Sequence, residues 1–291
     1  MSAISNEMET LLATGSVLRT MFEEGKKLAL QYGKENVYDF SLGNPSIPAP
    51  EAFNQALKEA LDSFDPLTLH GYMSNAGYDD TRKAIADDLN SRFGADYKVN
   101  NITMTVGAAN ALVAFMKIII NPGDEVAVFA PFFLEYRNYI ANFGGVTTIV
   151  PPNPPTFMPD VEAFKNTLTE KTKAVIINNP NNPSGVVYDE ETIRNMAAVM
   201  EAKQKEYGIS IFLLSDEPYR EIVYDNIAVP FLPKYYRNTL VAYSFSKAMS
   251  VPGERIGYVA VNPACPDAET MVYMCGQISR GIGHNCPPSI I

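Results

Sequence analysis

From about residue 100 onward, the chain alternates short apolar runs rich in β-branched residues with longer stretches of helical periodicity. The short runs are apolar on both faces, which is typical of strands buried between two helix layers. Alternating strands and helices imply a mostly parallel sheet joined by right-handed crossovers. The sequence therefore predicts a three-layer α/β/α fold. The predicted strands are 102–106, 125–129, 174–177, 210–214, 240–243 and 256–261, and the predicted helices are 6–33, 51–63, 79–93, 108–119 and 189–207.

The pattern before residue 100 is different and suggests a separate segment at the start of the chain. Residues 6–33 carry apolar side chains at helical spacing, interrupted near Gly15. A stretch rich in Gly and Pro follows at 43–50, which is typical of a loop. We predict an N-terminal helical segment over residues 1–40 and one large domain over residues 41–291.

Composition narrows the classes of function. The chain has 291 residues, of which 46% are hydrophobic and 19% charged, enough to bury a large core. Its formal net charge of −10 argues against nonspecific binding to nucleic acid or to a membrane surface. The three cysteines form no CxxC pair, so we expect neither a disulfide framework nor a metal site. No apolar stretch approaches a membrane span of about 20 residues, and we expect a cytoplasmic protein.

Small or polar residues follow most of the predicted strands. Parallel sheets of this type bind ligands at the carboxyl ends of their strands, so these residues are the candidates for a site. They supply small residues at a helix start, an aromatic ring, an amide, a carboxylate with a phenol, and a lysine with an arginine eight positions beyond. In chain order they are Gly107-Ala108-Ala109, Phe133, Asn182, Asp216 with Tyr219, and Ser244-Phe245-Ser246-Lys247 with Arg255.

Taken together, these motifs resemble the fold-type I enzymes that depend on pyridoxal 5'-phosphate (PLP). The resemblance is to the class I/II aminotransferase family, whose type member is aspartate aminotransferase, and it extends from Gly43 to about Pro288. Its most specific parts are the sequences Asn182-Pro183-Ser184-Gly185, Asp216-x-x-Tyr219 and Ser244-x-Ser246-Lys247 with Arg255.

The resemblance implies a catalytic role for three residues. Lys247 would form a Schiff base with the PLP aldehyde and, once displaced by substrate, carry a proton. Asp216 would pair with the pyridine nitrogen and keep it protonated, which strengthens the ring as an electron sink. Tyr219, together with Asn182, would hydrogen-bond the phenolic oxygen of PLP.

The resemblance also implies how the rest of the cofactor is held. Phe133 would stack on the PLP ring, at a position where relatives carry tryptophan or tyrosine. The phosphate would be bound by backbone N–H groups at a helix start and by hydroxyl and guanidinium donors. The implied phosphate-binding residues are Gly107, Ala108, Ala109, Ser244, Ser246 and Arg255.

Two further parts of the chain resemble elements of a dimer and of a substrate site. Tyr72 matches the family tyrosine that reaches the phosphate in the partner subunit, which implies a homodimer with active sites shared across the interface. Gly43 and Asn44 match a loop near the substrate carboxylate. A smaller C-terminal domain follows in the family and carries the arginine that binds this carboxylate. No residue here matches it, so we expect a truncated chain that binds PLP but transaminates weakly or not at all.

The predicted function is a PLP-dependent aminotransferase, which exchanges an amino group between an amino acid and a 2-oxo acid. A carbon–sulfur β-lyase that uses the same cofactor residues is an alternative, and only substrate tests separate the two. A PLP-binding module of a transcription regulator is a non-enzymatic alternative. Residues 1–40 show no basic recognition helix, which disfavours a transcription regulator and any binding to nucleic acid.

Overall fold

The computed structural model describes residues 3–5, 8–9, 17–40, 43–284 and 286–288. The chain divides into two compact units, Met1–Ser46 and Ile47–Ile291. In the first unit, helix α1 spans Val17–Tyr32 and a 3-10 turn spans Lys34–Asn36. Most of the predicted helix before residue 17 lies outside the described residues. The boundary predicted after residue 40 stays a prediction.

The second unit is built on a seven-stranded sheet, and in this sheet only one strand runs against the others. The order across the sheet is β1-β7-β6-β5-β4-β2-β3, and β7 is antiparallel to both of its neighbours. The remaining neighbours pair in parallel. The strands are β1 (Ile102–Thr105), β2 (Glu125–Phe129), β3 (Val146–Val150), β4 (Thr172–Asn178), β5 (Phe212–Asp216), β6 (Thr239–Ser244) and β7 (Gly257–Val261).

Nine helices accompany this sheet among the described residues of the second unit. They are α2 (Glu51–Ser63), α3 (Pro66–Leu69), α4 (Asp79–Phe93), α5 (Ala108–Ile119), α6 (Glu135–Ala141), α7 (Val161–Thr167), α8 (Glu190–Tyr207), α9 (Phe245–Ala248) and α10 (Ala268–Gly281). In the described part of the chain, no helix combines the length and apolar character that crossing a membrane requires.

Alternate residues of the strands pack into cores on opposite faces of the sheet. On one face, Val128, Ile176 and Leu214 pack with residues of α5, α6 and α10. On the other face, residues such as Val175 and Leu213 pack with α7 and α8, while the β1, β6 and β7 end packs with α4. This alternation is the direct consequence of the two-residue period of a strand. The predicted three-layer α/β/α fold is confirmed.

All six predicted strands are present, and the longer elements that the sequence missed each have a physical reason. Strand β3 lies at the edge of the sheet and is largely half-exposed, so it is not apolar on both faces. Helices α6 and α7 have seven residues each, too few to show a helical repeat. Helix α10 buries Gly276 and Ser279 beside its apolar residues, which obscures its periodicity.

Gly257 lies where the backbone of β7 closely approaches the end of β6 and the start of α5. It pairs with Thr105 on one side and with Ser244 on the other, at the edge of the sheet where β1 and β6 end. A Cβ atom at this position would overlap the carbonyl oxygen of Tyr243 and lie 2.9 Å from the Cα atom of Gly107. Both neighbours are backbone atoms, so neither can move aside without shifting a strand or a helix start.

We expect Gly257→Ala to lower the free energy of unfolding by about 2 kcal/mol or more, because backbone overlap forces the sheet to shift. Gly281→Ala is the matched control, since nothing lies within 4 Å of a Cβ atom at that helical position. The control should change stability by no more than about 1 kcal/mol. Urea denaturation of the two variants measures both effects, and equal stabilities would contradict the close approach at Gly257.

Candidate active site

An open cavity of about 180 Å³ lies at the carboxyl edge of the sheet. It brings together ten of the residues that the sequence singled out: Ala108, Ala109, Phe133, Asn182, Asp216, Tyr219, Ser244, Ser246, Lys247 and Arg255. These residues come from segments spread over about half of the chain. The sheet is what collects them, because the parallel strands all end at the same edge.

The strand register sets the positions of the polar residues. Asn178 and Asp216 are the last residues of β4 and β5, and they are register partners. Ser244 ends the next strand, β6, and Lys247 follows in the short helix α9. Strand β7 runs in the opposite direction, so Arg255, which precedes it, lies at the same edge.

The side chain of Asp216 is buried, and its two oxygens differ in their hydrogen bonding. Its side-chain atom Oδ2 accepts a hydrogen bond from the hydroxyl of Tyr136. Among the described residues, none donates to Oδ1, which is buried. Burial raises the pKa of Asp216 to about 7, an effect that the Tyr136 hydrogen bond opposes and the nearby charge of Glu217 reinforces. A buried acceptor without a donor indicates a place for a ligand N–H group.

An amide and a phenol form a second pair in the cavity. Asn182 Nδ2 donates to the hydroxyl oxygen of Tyr219 at 3.2 Å. Burial, followed by the negative charge of Asp216, raises the pKa of Tyr219, so its hydroxyl keeps its proton as a donor. Asn178 supports this pair, because its Oδ1 accepts from the backbone N–H of Asn182 while its Nδ2 donates to the backbone carbonyl of Asp216.

The start of helix α5 offers donors for an anion. Gly107 caps the helix with a φ of 87°, a conformation that favours glycine. A Cβ atom there would lie 2.8 Å from Nη2 of Arg255, so the missing side chain leaves room for the guanidinium. The first N–H groups of an α-helix lack partners within the helix and point toward such a site. Ser244 and Ser246 share a hydrogen bond of 2.7 Å between their hydroxyls and add two more polar groups.

Lys247 has the electrostatic setting of a reactive amine. Its partial burial lowers the pKa of the ammonium group, and the positive charge of Arg255 lowers it further. Arg255 is itself held in place, because its guanidinium donates to the backbone carbonyls of Pro252 at 2.9 Å and Val106 at 3.3 Å. A lowered pKa leaves a larger fraction of the lysine unprotonated, which is the nucleophilic form.

Four residues predicted from the sequence are not among those that line this cavity: Gly107, which caps α5 beside Arg255, and Tyr72, Gly43 and Asn44. Tyr72 is fully exposed and lines a different cavity, together with His70 and Arg280. Gly43 and Asn44 belong to the first unit, Met1–Ser46. The roles predicted for Tyr72, Gly43 and Asn44 stay predictions.

Among the residues of the cavity that the sequence analysis missed, Tyr136 and Asn178 form hydrogen bonds with other residues of the site. Tyr136 contacts Asp216 through its hydroxyl and packs edge-on against Phe133, with ring centroids 5.6 Å apart. It follows Phe133 by three residues. In a helix that spacing places two side chains on the same face, so it could have indicated this contact. Asn178 is the first amide after the apolar run of β4, a position that could have indicated its place at the strand end.

Comparison with known proteins identifies the family. The sequence profile of the family described as aminotransferase class I and II matches residues 35–282. The chain belongs to the class I and II aminotransferase family.

Individual relatives of the chain agree with the family assignment. It is 34% identical over 241 residues to a protein of Aquifex aeolicus named "Probable aspartate/prephenate aminotransferase", covering 80% of this chain and 57% of that protein. It is 30% identical over 255 residues to an aspartate aminotransferase of Pyrococcus horikoshii, covering 86% of this chain and 60% of that protein. The chain thus spans less than two thirds of the length of either relative.

Solved structures of aminotransferases have the same fold. An amino transferase from Eubacterium rectale superposes with a TM-score of 0.94 at 45% identity, covering 100% of this chain and 73% of that one. The aspartate aminotransferase of Thermus thermophilus with maleate superposes with a TM-score of 0.83 at 26% identity, covering 100% and 71%.

The raised pKa of Asp216 predicts a pH-dependent stability for the ligand-free protein. Between pH 4 and pH 7 the folded state binds a proton that the unfolded state has released, so stability falls as the pH rises. Asp216→Asn removes this ionisation and keeps an acceptor for Tyr136. We therefore expect the variant to gain stability relative to the wild type by about 3 kcal/mol between pH 5 and pH 8, with no further gain above pH 8.

Urea denaturation across this pH range measures the gain. Glu269→Gln, at an exposed position of α10, is the matched control and should show no gain of this kind. Absence of the gain in Asp216→Asn as well would show that this carboxylate is not held in a desolvated setting.

Proposed function

We propose that this cavity binds PLP and that the protein is an aminotransferase. The observation that carries the proposal is that Lys247 and the unsatisfied oxygen Oδ1 of Asp216 lie in one cavity. PLP offers groups that fit both, an aldehyde for the amine and a protonated ring nitrogen for the carboxylate. When bound, PLP accepts the electrons left on the substrate Cα atom when one of its bonds breaks.

The residues present fit the cofactor at its other groups as well. The helix start at Ala108 and Ala109, the two serine hydroxyls and the guanidinium of Arg255 are suited to the phosphate dianion. Tyr219, supported by Asn182, would donate to the phenolic oxygen. Phe133 lines the cavity and would stack on the ring, so that the aromatic face excludes water from one side.

Each residue of the site then has a definite task in the reaction. Asp216 would hold the proton on the ring nitrogen, because a buried carboxylate stabilises a cation beside it. Lys247 would hold the cofactor through its amine and would move a proton at the substrate Cα atom. Its lowered pKa supplies the unprotonated amine that both tasks require. We propose that Gly43 and Asn44 bind near the substrate carboxylate, a role supported only by the family resemblance.

We propose an amino acid and a 2-oxo acid as the substrates. Relatives of this chain are named aspartate or aspartate/prephenate aminotransferases, so aspartate is the first amino donor to test. The family match favours amino transfer over β-elimination, although the same cofactor residues would serve both reactions. We also propose a cytoplasmic location, since the three cysteines of the chain are free thiols, as expected in a reducing compartment.

We expect borohydride reduction of the PLP-treated protein to fix the cofactor on Lys247, as peptide mass mapping would show. Lys247→Ala should lose this adduct, and whatever rate of oxaloacetate formation from aspartate the wild type retains should fall about a hundredfold in the variant. Lys165→Ala, at an exposed position of α7, is the matched control and should retain both properties.

The products distinguish the possible outcomes. Absence of an adduct on Lys247 in the wild type would overturn the assignment of the cofactor site. An adduct together with pyruvate release from a β-substituted amino acid, and no amino transfer, would replace the aminotransferase by a carbon–sulfur β-lyase.

We propose that the protein forms a homodimer through the surface of residues 61–72. Leu61, Phe64, Leu67 and Tyr72 are all exposed, and Leu67 and Tyr72 are exposed by 86% and 107%. Several large apolar side chains exposed within twelve residues of sequence are typical of a protein interface. In such a dimer, Tyr72 would reach the phosphate site of the partner subunit, as the family resemblance implies.

We expect sedimentation velocity to show a dimer for the wild type and a monomer for the double variant Phe64→Asp, Leu67→Asp, because two buried charges disrupt an apolar interface. Ile149→Asp, on the exposed side of edge strand β3, is the control and should remain dimeric. A monomeric wild type, or a dimer that persists in the double variant, would contradict an interface at this surface.

A further inference from the structure

Tyr136 lies beside the cofactor residues, although the sequence motifs do not include it. It is the second residue of helix α6 and is 1% exposed. Its hydroxyl donates to Oδ2 of Asp216, which lies 80 positions later in the sequence. Two groups buried this deeply meet only because the fold places α6 over the end of β5.

The bond from Tyr136 determines which oxygen of Asp216 remains available. With Oδ2 taken by the phenol, Oδ1 is the buried atom that has no donor among the described residues. The backbone of Asp216 is held as well, because Asn178 Nδ2 donates to its carbonyl oxygen at 3.0 Å. Side chain and main chain of Asp216 are therefore both fixed before any ligand arrives, which is the requirement for a preorganised site.

The same bond affects the charge of Asp216. Burial raises the pKa of the carboxyl, and the donor hydrogen bond from Tyr136 lowers it. Burial and the charge of Asp216 raise the pKa of Tyr136 itself, so the phenol remains protonated and continues to donate. Other titratable side chains that act on Asp216 or share its cavity are Tyr139 of α6, Tyr219 and Glu217 near β5, and Lys247 and Arg255.

Tyr136 also contacts the aromatic ring of the site. Its ring meets that of Phe133 edge-on, at a centroid distance of 5.6 Å and an interplanar angle of 82°. One side chain therefore supports two groups proposed to touch PLP, the carboxylate through its hydroxyl and Phe133 through its ring. The two functions reside on different atoms, so a substitution can remove one and keep the other.

We infer that Tyr136 is a positioning residue, which holds the Asp216 side chain with Oδ1 available to the ring nitrogen of PLP. This inference rests on the proposed function, because it requires that PLP occupy the cavity. The inference concerns only the contact with the ring nitrogen, so a result that contradicts it can be distinguished from a protein that does not bind PLP.

The test is Tyr136→Phe in the full chain, which keeps the ring against Phe133 and removes the hydroxyl. Fluorescence titration would measure the dissociation constants of PLP and of the analogue in which CH replaces the ring nitrogen. We expect the affinity for PLP to fall about tenfold, since the bond lost is one to a charged group. The affinity for the analogue should not fall, because it offers nothing for Oδ1 to accept.

Tyr236→Phe is the matched control. Its hydroxyl is buried too and donates to the backbone carbonyl of Ile211 at 2.7 Å, in the core that packs with α7 and α8. This substitution removes a buried phenol hydrogen bond of the same kind, and we expect it to leave both affinities unchanged.

The pH dependence of binding gives a second readout. Loss of the phenol raises the pKa of Asp216 in the ligand-free protein, so the fall in PLP affinity at acid pH should begin at a higher pH in Tyr136→Phe. If this variant does not fold, 3-fluorotyrosine incorporated at position 136 is the second variant. Its more acidic phenol is a stronger donor and should move the fall to a lower pH.

Three results would overturn the inference. An equal loss of affinity for PLP and for the analogue would show that Tyr136 has only a structural role. Unchanged affinities and an unchanged pH dependence would show that the bond does not act on the ring nitrogen. A wild type that does not bind PLP would overturn the proposed function and this inference with it.

Discussion

The parallel pairing of β4, β5 and β6 is the constraint on which the candidate site depends. Parallel strands all run in one direction, so their carboxyl ends, with Asn178, Asp216 and Ser244, lie side by side at one edge. The antiparallel strand β7 extends this edge, because the segment before its first residue carries Arg255. Without that register, the amide, carboxylate, hydroxyl and guanidinium, which are far apart in the sequence, would not lie close together in space.

The site contains features that cost stability and are supported by the rest of the fold. Asp216 is desolvated, with one oxygen that accepts no hydrogen bond from the described residues, and Gly107 and Arg255 have backbone φ angles of 87° and 56°. Buried unsatisfied groups and left-handed backbone are characteristic of functional sites, where the surrounding structure holds them in place. Here the apolar cores on both faces of the sheet provide that support.

The local sequence pattern predicted most of the fold, but it did not predict every strand and helix. The six buried strands were predictable because each is apolar on both faces, a property of the run itself. Strand β3 and helix α6 were not, because an edge strand is half-exposed and a seven-residue helix has no visible period. Most of the residues of the site were predictable from their positions after strands and from the family motifs.

The sequence by itself determined the fold class, the family and the chemical groups placed at the strand ends. These follow from short-range patterns and motifs, in which the informative residues are close together in the chain. Only the tertiary structure decided that Tyr136 bonds one oxygen of Asp216, that no described residue donates to the other oxygen, and that Asn178 links Asn182 to the end of β5. The physical reason is that these bonds join residues whose proximity is created by sheet register and helix packing, neither of which is encoded in any single segment.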